Sequence, residues 1–252
     1  MKTLHVLLGI FLAIAAHAAQ GADPRESGPL ALVITYHAAP ANRAALRQVL
    51  EESEARQLQR WKDEGVLQSA RLLVNRHVDS VTWDAMALLT FARYSDVERW
   101  NVIERTTPAG LSPKALALVS AIETAPGDLM REDGAATARP TFLVIPYEVT
   151  VAANDYLAYV DGYVVPQMDG WKEEGVLSRY SVFLARYPAG RPWQSMLILE
   201  YKDDAALAAR DATTAKVRAR LANNPKWKAI SDAKKNVRNE KAPVLADAIP
   251  SR

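Results

Sequence analysis

Two histidines and one carboxylate are the residues of this sequence best suited to acid–base chemistry. His37 follows an apolar run, and His77 and Asp84 lie on either side of a short polar segment. Histidine changes its charge near neutral pH and can act as a general acid or base, and a carboxylate can orient its ring. We therefore treat His37, His77 and Asp84 as candidate catalytic residues. The alternative is that they are ordinary polar residues at strand ends.

The chain contains an internal repeat, which determines the elements that position these residues. The phrase WKDEGVL at Trp61–Leu67 returns as WKEEGVL at Trp171–Leu177, and an ungapped alignment of 61–94 with 171–204 contains ten identical pairs. Chance would give about two. The flanking runs LVITY and LVIPY also correspond. The sequence is therefore a tandem duplication.

Each copy predicts the same order of elements. A β-rich run is followed by an amphipathic helix, a hairpin of two strands, a second helical region and a last short strand. The repeated phrase ends the first helix, and Gly65 and Gly175 suit the left-handed conformation just past a helix C-terminus. The order is βαββαβ with an extra helix before the final strand.

This order, the Trp-x-x-x-Gly-Val corner and the duplication resemble the dimeric α+β barrel superfamily. Antibiotic-biosynthesis monooxygenase-like, EthD-like and NIPSNAP-like proteins belong to it. There, two ferredoxin-like units face their sheets together as a barrel, usually from two chains. The resemblance implies an α+β fold in which two tandem ferredoxin-like units form one intrachain barrel. It also implies a monomer (a pseudo-dimer) or at most a weak homo-oligomer.

Strand alternation predicts which polar side chains face the barrel interior. The first and second strands of a unit end where the third begins, so His37, Asn75, His77 and Asp84 should share one mouth. The second unit has different residues there, which suits one active and one supporting half. Arg71 and Arg179 should lie deeper and pair with Glu200, Glu148 or a bound anion. The candidate ligand-binding residues are Arg71, Asn75, Glu148, Arg179, Tyr187, Gln194 and Glu200.

The composition argues against several classes of site. The absence of cysteine excludes disulfides, thiolate metal sites and a cysteine nucleophile. Two histidines and one aspartate do not establish metal geometry, so no metal site is predicted. The sequence has no phosphate loop, serine-nucleophile elbow or dinucleotide fingerprint. Some barrel relatives bind haem through a helical histidine, but neither His37 nor His77 is predicted on a helix. No cofactor is therefore predicted.

The N-terminal segment has the features of a secretory signal peptide. Lys2 precedes an apolar run, and the small residues Ala18 and Ala19 follow it. We predict a signal peptide at 1–22 and a periplasmic or secreted protein without a transmembrane segment after cleavage; an uncleaved anchor is the alternative. Nucleic acid is not an expected partner. The predicted units are 29–131 and 141–252, joined by the linker 132–140.

Two functions are compatible with these observations. The first is an exported, soluble barrel protein that binds a small, partly apolar ligand or serves as an accessory or assembly protein. The alternative is a cofactor-independent enzyme, monooxygenase-like or acid–base, that uses His37 and His77. The basic segment Arg210–Lys241 is either the solvated face of two helices or a contact surface for anionic lipid or another polyanion.

Overall fold

The computed structural model describes residues 30–250, and the predicted signal peptide lies outside them. The first unit contains β1 (Ala31–Ala38), α1 (Arg43–Val49), α2 (Ala55–Asp63), β2 (Ser69–Asn75), β3 (Ala85–Thr90), α3 (Tyr94–Glu104), α4 (Pro113–Leu116) and β4 (Val119–Gly134). A π-helical turn at Leu50–Glu54 joins α1 to α2. No helix in this described part of the chain is long and apolar enough to cross a bilayer.

The second unit repeats this order with the same irregularity. It contains β5 (Thr141–Val149), α5 (Ala153–Tyr159), α6 (Val165–Glu173), β6 (Leu177–Ala185), β7 (Ser195–Tyr201), α7 (Asp204–Ala208), α8 (Arg210–Leu221), α9 (Pro225–Ala233), β8 (Arg238–Glu240) and β9 (Val244–Ile249). A second π-helical turn, Val160–Val164, joins α5 to α6. The duplication thus reproduces local backbone detail as well as element order.

Eight of the strands close into one antiparallel barrel. Their order is β1, β3, β2, β9, β5, β7, β6 and β4, which returns to β1. The last strand of each unit joins the other unit, because β4 pairs with β6 and β9 pairs with β2. Short β8 adds to β5 beyond β9. The fold is therefore an α+β barrel built from both halves of one chain, as the resemblance implied.

The predicted alternation along the strands is confirmed. Met86 and Leu88 lie in an apolar cluster inside the barrel, together with Met196 and Ile198 of the second unit. Their sequence neighbours, such as Leu89, pack against the helices outside. The barrel wall is therefore covered on both its inner and its outer face. This explains why β3 and β7 are buried along their whole length.

The repeated phrase closes the long helix and starts the next strand. Gly65 and Gly175 follow the helix ends at φ values of 68° and 77°. The amide of Val66 donates to the carbonyl of Trp61 at 2.8 Å, and the second unit repeats this bond. This geometry satisfies the last helical carbonyls and favours glycine at the left-handed position. The predicted helix-to-strand corner is thus present in both units.

One local prediction needs correction. The last strand of the first unit was expected to be short, whereas β4 runs over Val119–Gly134. Its pairing shifts from β1 to β6 near Gly127, and this long-range pairing gives the strand its length.

An arginine that occurs in both repeats links the two units where their strands pair, which we call the seams of the barrel. Arg76 follows β2, and its side chain donates to Asp247 of β9 at 2.7 Å and to Thr141 of β5 at 3.0 Å. Its counterpart Arg186 follows β6 and donates to Asp128 of β4 at 2.7 Å. Both arginines therefore hold the last strand of the opposite unit.

Replacing Arg76 by methionine should lower the free energy of unfolding by about 1–2 kcal/mol, because it removes charge-assisted hydrogen bonds at a partly buried seam. Urea unfolding followed by circular dichroism would measure this. Arg47→Met is a matched control, because Arg47 is half exposed and pairs only within its own turn with Glu51. Equal midpoints for Arg76→Met and Arg47→Met would show that the seam contact is not stabilising.

Candidate functional site

The interior of the barrel is largely filled at one of its ends. This end, called the upper end, is where β1, β2, β5 and β6 finish. Trp83 and Trp193 occupy equivalent positions just before β3 and β7, and both are buried inside the barrel. A cavity of about 240 Å³ remains beside Trp193, and another of about 330 Å³ lies beside α1, where Asn75 and Asp84 line it. Large paired rings thus fill the mouth at which the sequence placed the catalytic candidates.

The catalytic candidates of the upper end have structural contacts. Asp84 forms an ion pair with Arg43 at 2.7 Å and accepts a hydrogen bond from the Ala38 amide at 2.7 Å. His37 is half-buried and His77 is exposed. Asp84 lines the cavity of about 330 Å³ beside α1, but neither histidine contributes to it. The role predicted for His37, His77 and Asp84 stays a prediction.

The remaining candidates at this end also hold strand ends or face solvent. The side chain of Asn75 donates to Thr82 and to the Trp83 carbonyl. Gln194 accepts from the Val149 amide at 2.6 Å, which repeats the contact between Asp84 and Ala38. Tyr187 is exposed. Glu148 lies on the surface, where a hydrogen bond from Lys241 lowers the pKa of its carboxyl.

A cavity of about 960 Å³, called the lower cavity, opens at the opposite, lower end of the barrel. Strand register places Thr90 and Glu200, the ends of β3 and β7, at this level. Its walls are apolar toward the barrel interior and charged around the opening: Leu88, Leu129, Phe142, Phe183 and Ala248, then Arg71, Glu132, Arg179 and Glu200. The cavity is thus suited to a molecule with an apolar body and a polar group.

Arg71 is the cation that reaches farthest into this cavity. Its guanidinium lies over the ring of Phe142, with its central carbon 5.4 Å from the ring centroid. The Glu200 carboxylate lies 3.9 Å from its Nη1 atom, which is beyond hydrogen-bonding distance. Burial, and next the charge of Arg179, lower the pKa of Arg71. The guanidinium is thus held by packing and charge, while its donors face the cavity.

Glu200 is the most deeply buried charged group in the lower cavity, with 2% of its surface exposed. Its Oε1 atom accepts a hydrogen bond from the Thr137 amide at 3.2 Å. Its Oε2 atom has no hydrogen-bond partner among residues 30–250. A buried carboxylate oxygen without a donor is costly, so this atom is a natural point of contact for a ligand.

Arg179 lines the same cavity and is neutralised by the adjacent strand. Its Nε atom donates to Glu132 of β4 at 3.1 Å, and Ser181 donates to the same carboxylate oxygen at 2.8 Å. Arg71 and Arg179 therefore share the cavity but have different partners. The expectation that Arg71 pairs with Glu200 holds as a loose ion pair, whereas Arg179 pairs with Glu132.

The segment 135–140, called the strap, covers one side of the lower cavity. Ala135 donates to the Ser178 carbonyl at 3.1 Å, and Thr137 contacts both Glu200 and the Lys202 carbonyl. Ala136 to Pro140 contribute to the cavity wall. The strap follows Gly134, whose backbone φ of 105° favours glycine. This segment was predicted only as a linker, and in the structure it is part of the candidate site.

The described residues do not fit a metal ion or a histidine-bound haem. They contain no cluster of three or more His, Cys, Asp or Glu side chains that could hold a metal. Of the two described histidines, His37 is on β1 and His77 follows β2, so neither projects from a helix. Chemistry in the lower cavity is therefore argued from the protein's own side chains.

The basic segment Arg210–Lys241 has partners within the fold. Lys216 and Arg220 of α8 form ion pairs with Glu174 and Glu173. Lys228 pairs with Asp232 on α9. These contacts favour the solvated-face interpretation over a surface for a polyanion.

Comparisons with known proteins identify the fold. No protein-family model and no curated protein sequence matches the chain. Among solved structures, a monooxygenase-like protein from Lactobacillus acidophilus has a TM-score of 0.56 at 10% identity, covering 88% of this chain and 95% of that one. One from Fusobacterium nucleatum has a TM-score of 0.54 at 11% identity, covering 88% and 93%.

An anthrone oxidase-like protein is also similar, with a TM-score of 0.53 at 10% identity over 90% of this chain and 93% of that one. At this identity the likeness shows the fold, and function must be argued from the site. The coverage of both chains shows that the two units together correspond to one complete barrel. The chain therefore has the fold of the dimeric α+β barrel superfamily, with both ferredoxin-like halves supplied by one polypeptide.

Proposed function

We propose that the protein binds a small, partly apolar molecule in the lower cavity, with a polar group of the molecule directed at Arg71 and Glu200. The observation that carries this proposal is the position of Arg71 beside the buried, partly unpaired carboxylate of Glu200. Both groups face a cavity of about 960 Å³. Sites for small molecules typically combine a cavity of roughly this size with apolar walls and a few converging polar groups.

The energetics of the two charged groups support ligand binding. A guanidinium and a carboxylate removed from water lose hydration, and a contact at 3.9 Å returns only part of it. A ligand that accepts from Arg71 and donates to Glu200 would complete both groups. Its apolar body would at the same time displace water from Leu88, Phe142 and Phe183.

A second candidate function is oxidation of the bound molecule by dioxygen without a cofactor. The fold neighbours favour it, since they include monooxygenase-like and anthrone oxidase-like proteins. In such a reaction a base removes a proton from an acidic substrate. Dioxygen then converts a CH₂ group to a carbonyl, with the second oxygen atom leaving as water. In this proposal Glu200 acts as that base, and Arg71 stabilises the resulting anion.

Replacing Arg71 by methionine should weaken binding of an anionic or hydroxylated aromatic probe at least tenfold, since a charge-assisted hydrogen bond is lost while an unbranched side chain remains. Fluorescence titration with a series of hydroxylated and carboxylated naphthalenes would measure the affinity. Dioxygen consumption by the loaded protein would distinguish oxidation from binding alone.

Arg47→Met is the matched control, because Arg47 lies on α1 and does not line the lower cavity. Arg71→Lys keeps the charge and separates its effect from that of packing. Unchanged affinity in Arg71→Met, in a variant with the wild-type circular dichroism spectrum, would contradict the proposed function.

A further inference from the structure

The pair Arg71 and Glu200 leaves a gap of defined size. The distance from Arg71 Nη1 to Glu200 Oε2 is 3.9 Å, and Oε2 is buried without a hydrogen-bond partner among the described residues. The other oxygen, Oε1, is already bonded to the Thr137 amide. The Oε2 atom of Glu200 therefore lacks a hydrogen-bond donor, and Arg71 lies too far away to donate to it.

A single hydroxyl oxygen between these two groups would hydrogen-bond to both. Two hydrogen bonds of about 2.8 Å that meet at one oxygen span 3.9 Å when the angle between them is about 90°. That oxygen must accept from a guanidinium and donate to a carboxylate, so it must carry a hydrogen. A hydroxyl group meets both conditions, whereas a carboxylate, a carbonyl or an ether meets only the first.

In the first unit, the residue that corresponds to Glu200 has no unpaired side-chain oxygen. Ser69 and Thr90 correspond in the repeat to Arg179 and Glu200. In the first unit the two hydroxyls bond each other at 2.6 Å. In the second unit Arg179 turns to Glu132 instead, and Glu200 keeps a free oxygen. The unpaired atom is thus peculiar to one half of the barrel and is not a requirement of the fold.

We propose that the ligand of the lower cavity is an aromatic molecule whose hydroxyl lies between Arg71 and Glu200, accepting from the first and donating to the second. This inference rests on the proposed function. An aromatic body matches the rings of Phe142 and Phe183 in the cavity wall.

Two probes of nearly the same shape test the inference. 2-Naphthol can accept from Arg71 and donate to Glu200, while 2-methoxynaphthalene can only accept. The wild-type protein should bind 2-naphthol at least tenfold more tightly, because the bond to a buried carboxylate is charge-assisted. In Glu200→Gln this preference should fall below about threefold, because the amide that replaces Oε2 donates instead of accepting. The glutamine carbonyl can still accept from Thr137, so the fold is kept.

The outcomes separate the inference from the proposed function. Equal affinities of the wild-type protein for the two probes would overturn the hydroxyl contact and leave ligand binding in the cavity intact. A preference that persists in Glu200→Gln would place the hydroxyl elsewhere and overturn the role of Glu200. Failure of both probes to bind, up to their solubility, would overturn the proposed function itself. Thermal unfolding of Glu200→Gln near the wild-type Tm would confirm that the variant is folded.

Discussion

Replacing Trp61 by alanine is expected to lower the free energy of unfolding by about 3–5 kcal/mol, the range for truncating a large buried aromatic residue. Trp61 is 6% exposed and packs edge-on against Trp100, with ring centroids 5.3 Å apart at 88°. Removing the indole leaves a hole between α2 and α3, which the helices cannot close without moving away from the sheet. Urea unfolding of the purified protein would measure the loss.

Two further variants show whether the contact itself is responsible. Trp61→Phe retains a ring at the same place and should cost clearly less than Trp61→Ala. A double-mutant cycle with Trp100→Phe should give a coupling energy of about 0.5–1.5 kcal/mol, as expected for an aromatic pair. A loss below about 1 kcal/mol for Trp61→Ala would mean that the repeated tryptophan does not stabilise the helix-to-strand corner.

Replacing Gly134 by alanine should destabilise the protein by at least about 2–3 kcal/mol and detach the strap from the lower cavity. The backbone of Gly134 has a φ of 105°, which is strained for a residue with a side chain. An added Cβ would also lie 2.1 Å from the Ser178 carbonyl oxygen, far inside van der Waals contact. The strap would have to move, and Glu200 would lose its hydrogen bond from Thr137.

Gly190→Ala is the matched control for this effect. Gly190 also has a positive φ, of 73°, but an added Cβ there meets no atom within 4 Å. The control therefore carries backbone strain without the collision. Thermal unfolding and proteolysis of the strap would compare the two variants. Equal Tm values for Gly134→Ala and Gly190→Ala would contradict the close approach between the strap and β6.

The fold was predictable because the duplication, and the alternation of inward-facing and outward-facing residues along the strands, can both be read from residue types in the sequence. The matching glycines Gly65 and Gly175 indicated two equivalent helix ends, and the positions of Met86 and Met196 indicated the inner faces of β3 and β7. Both interpretations depend only on residue type and a period of two. The structure confirms both of them.

The location of the cavity could not be predicted by the same reasoning. Alternation shows which side chains point inward, but it does not show at which level of the barrel they meet and fill the space. Trp83 and Trp193 fill the barrel interior at the upper end, and Asp84 lines a smaller cavity of about 330 Å³ beside α1. Arg71 and Glu200 were identified as inward-facing, although the cavity that they line opens at the other end.

The contributions of Glu132 and Thr137 were missed for a different reason. Both residues lie in a small, polar segment with the composition of a linker. They belong to the site because β4 continues to Gly134 along β6, a pairing between distant parts of the chain. Glu132, a carboxylate at the start of that segment that can pair with an inward-facing arginine such as Arg179, was the available signal.

The exchange of last strands between the two units has a consequence for how fast the barrel forms. The contact between Arg76 and Asp247 joins residues 171 positions apart, and it lies where β9 closes the barrel against β2. Contacts at such a separation form slowly, since the chain must lose much of its freedom before they stabilise it. Until then β2 has an open edge on which another copy of the same strand can pair. Slow closure thus makes the concentration of unfinished chains, and not only native stability, a determinant of how much protein folds correctly.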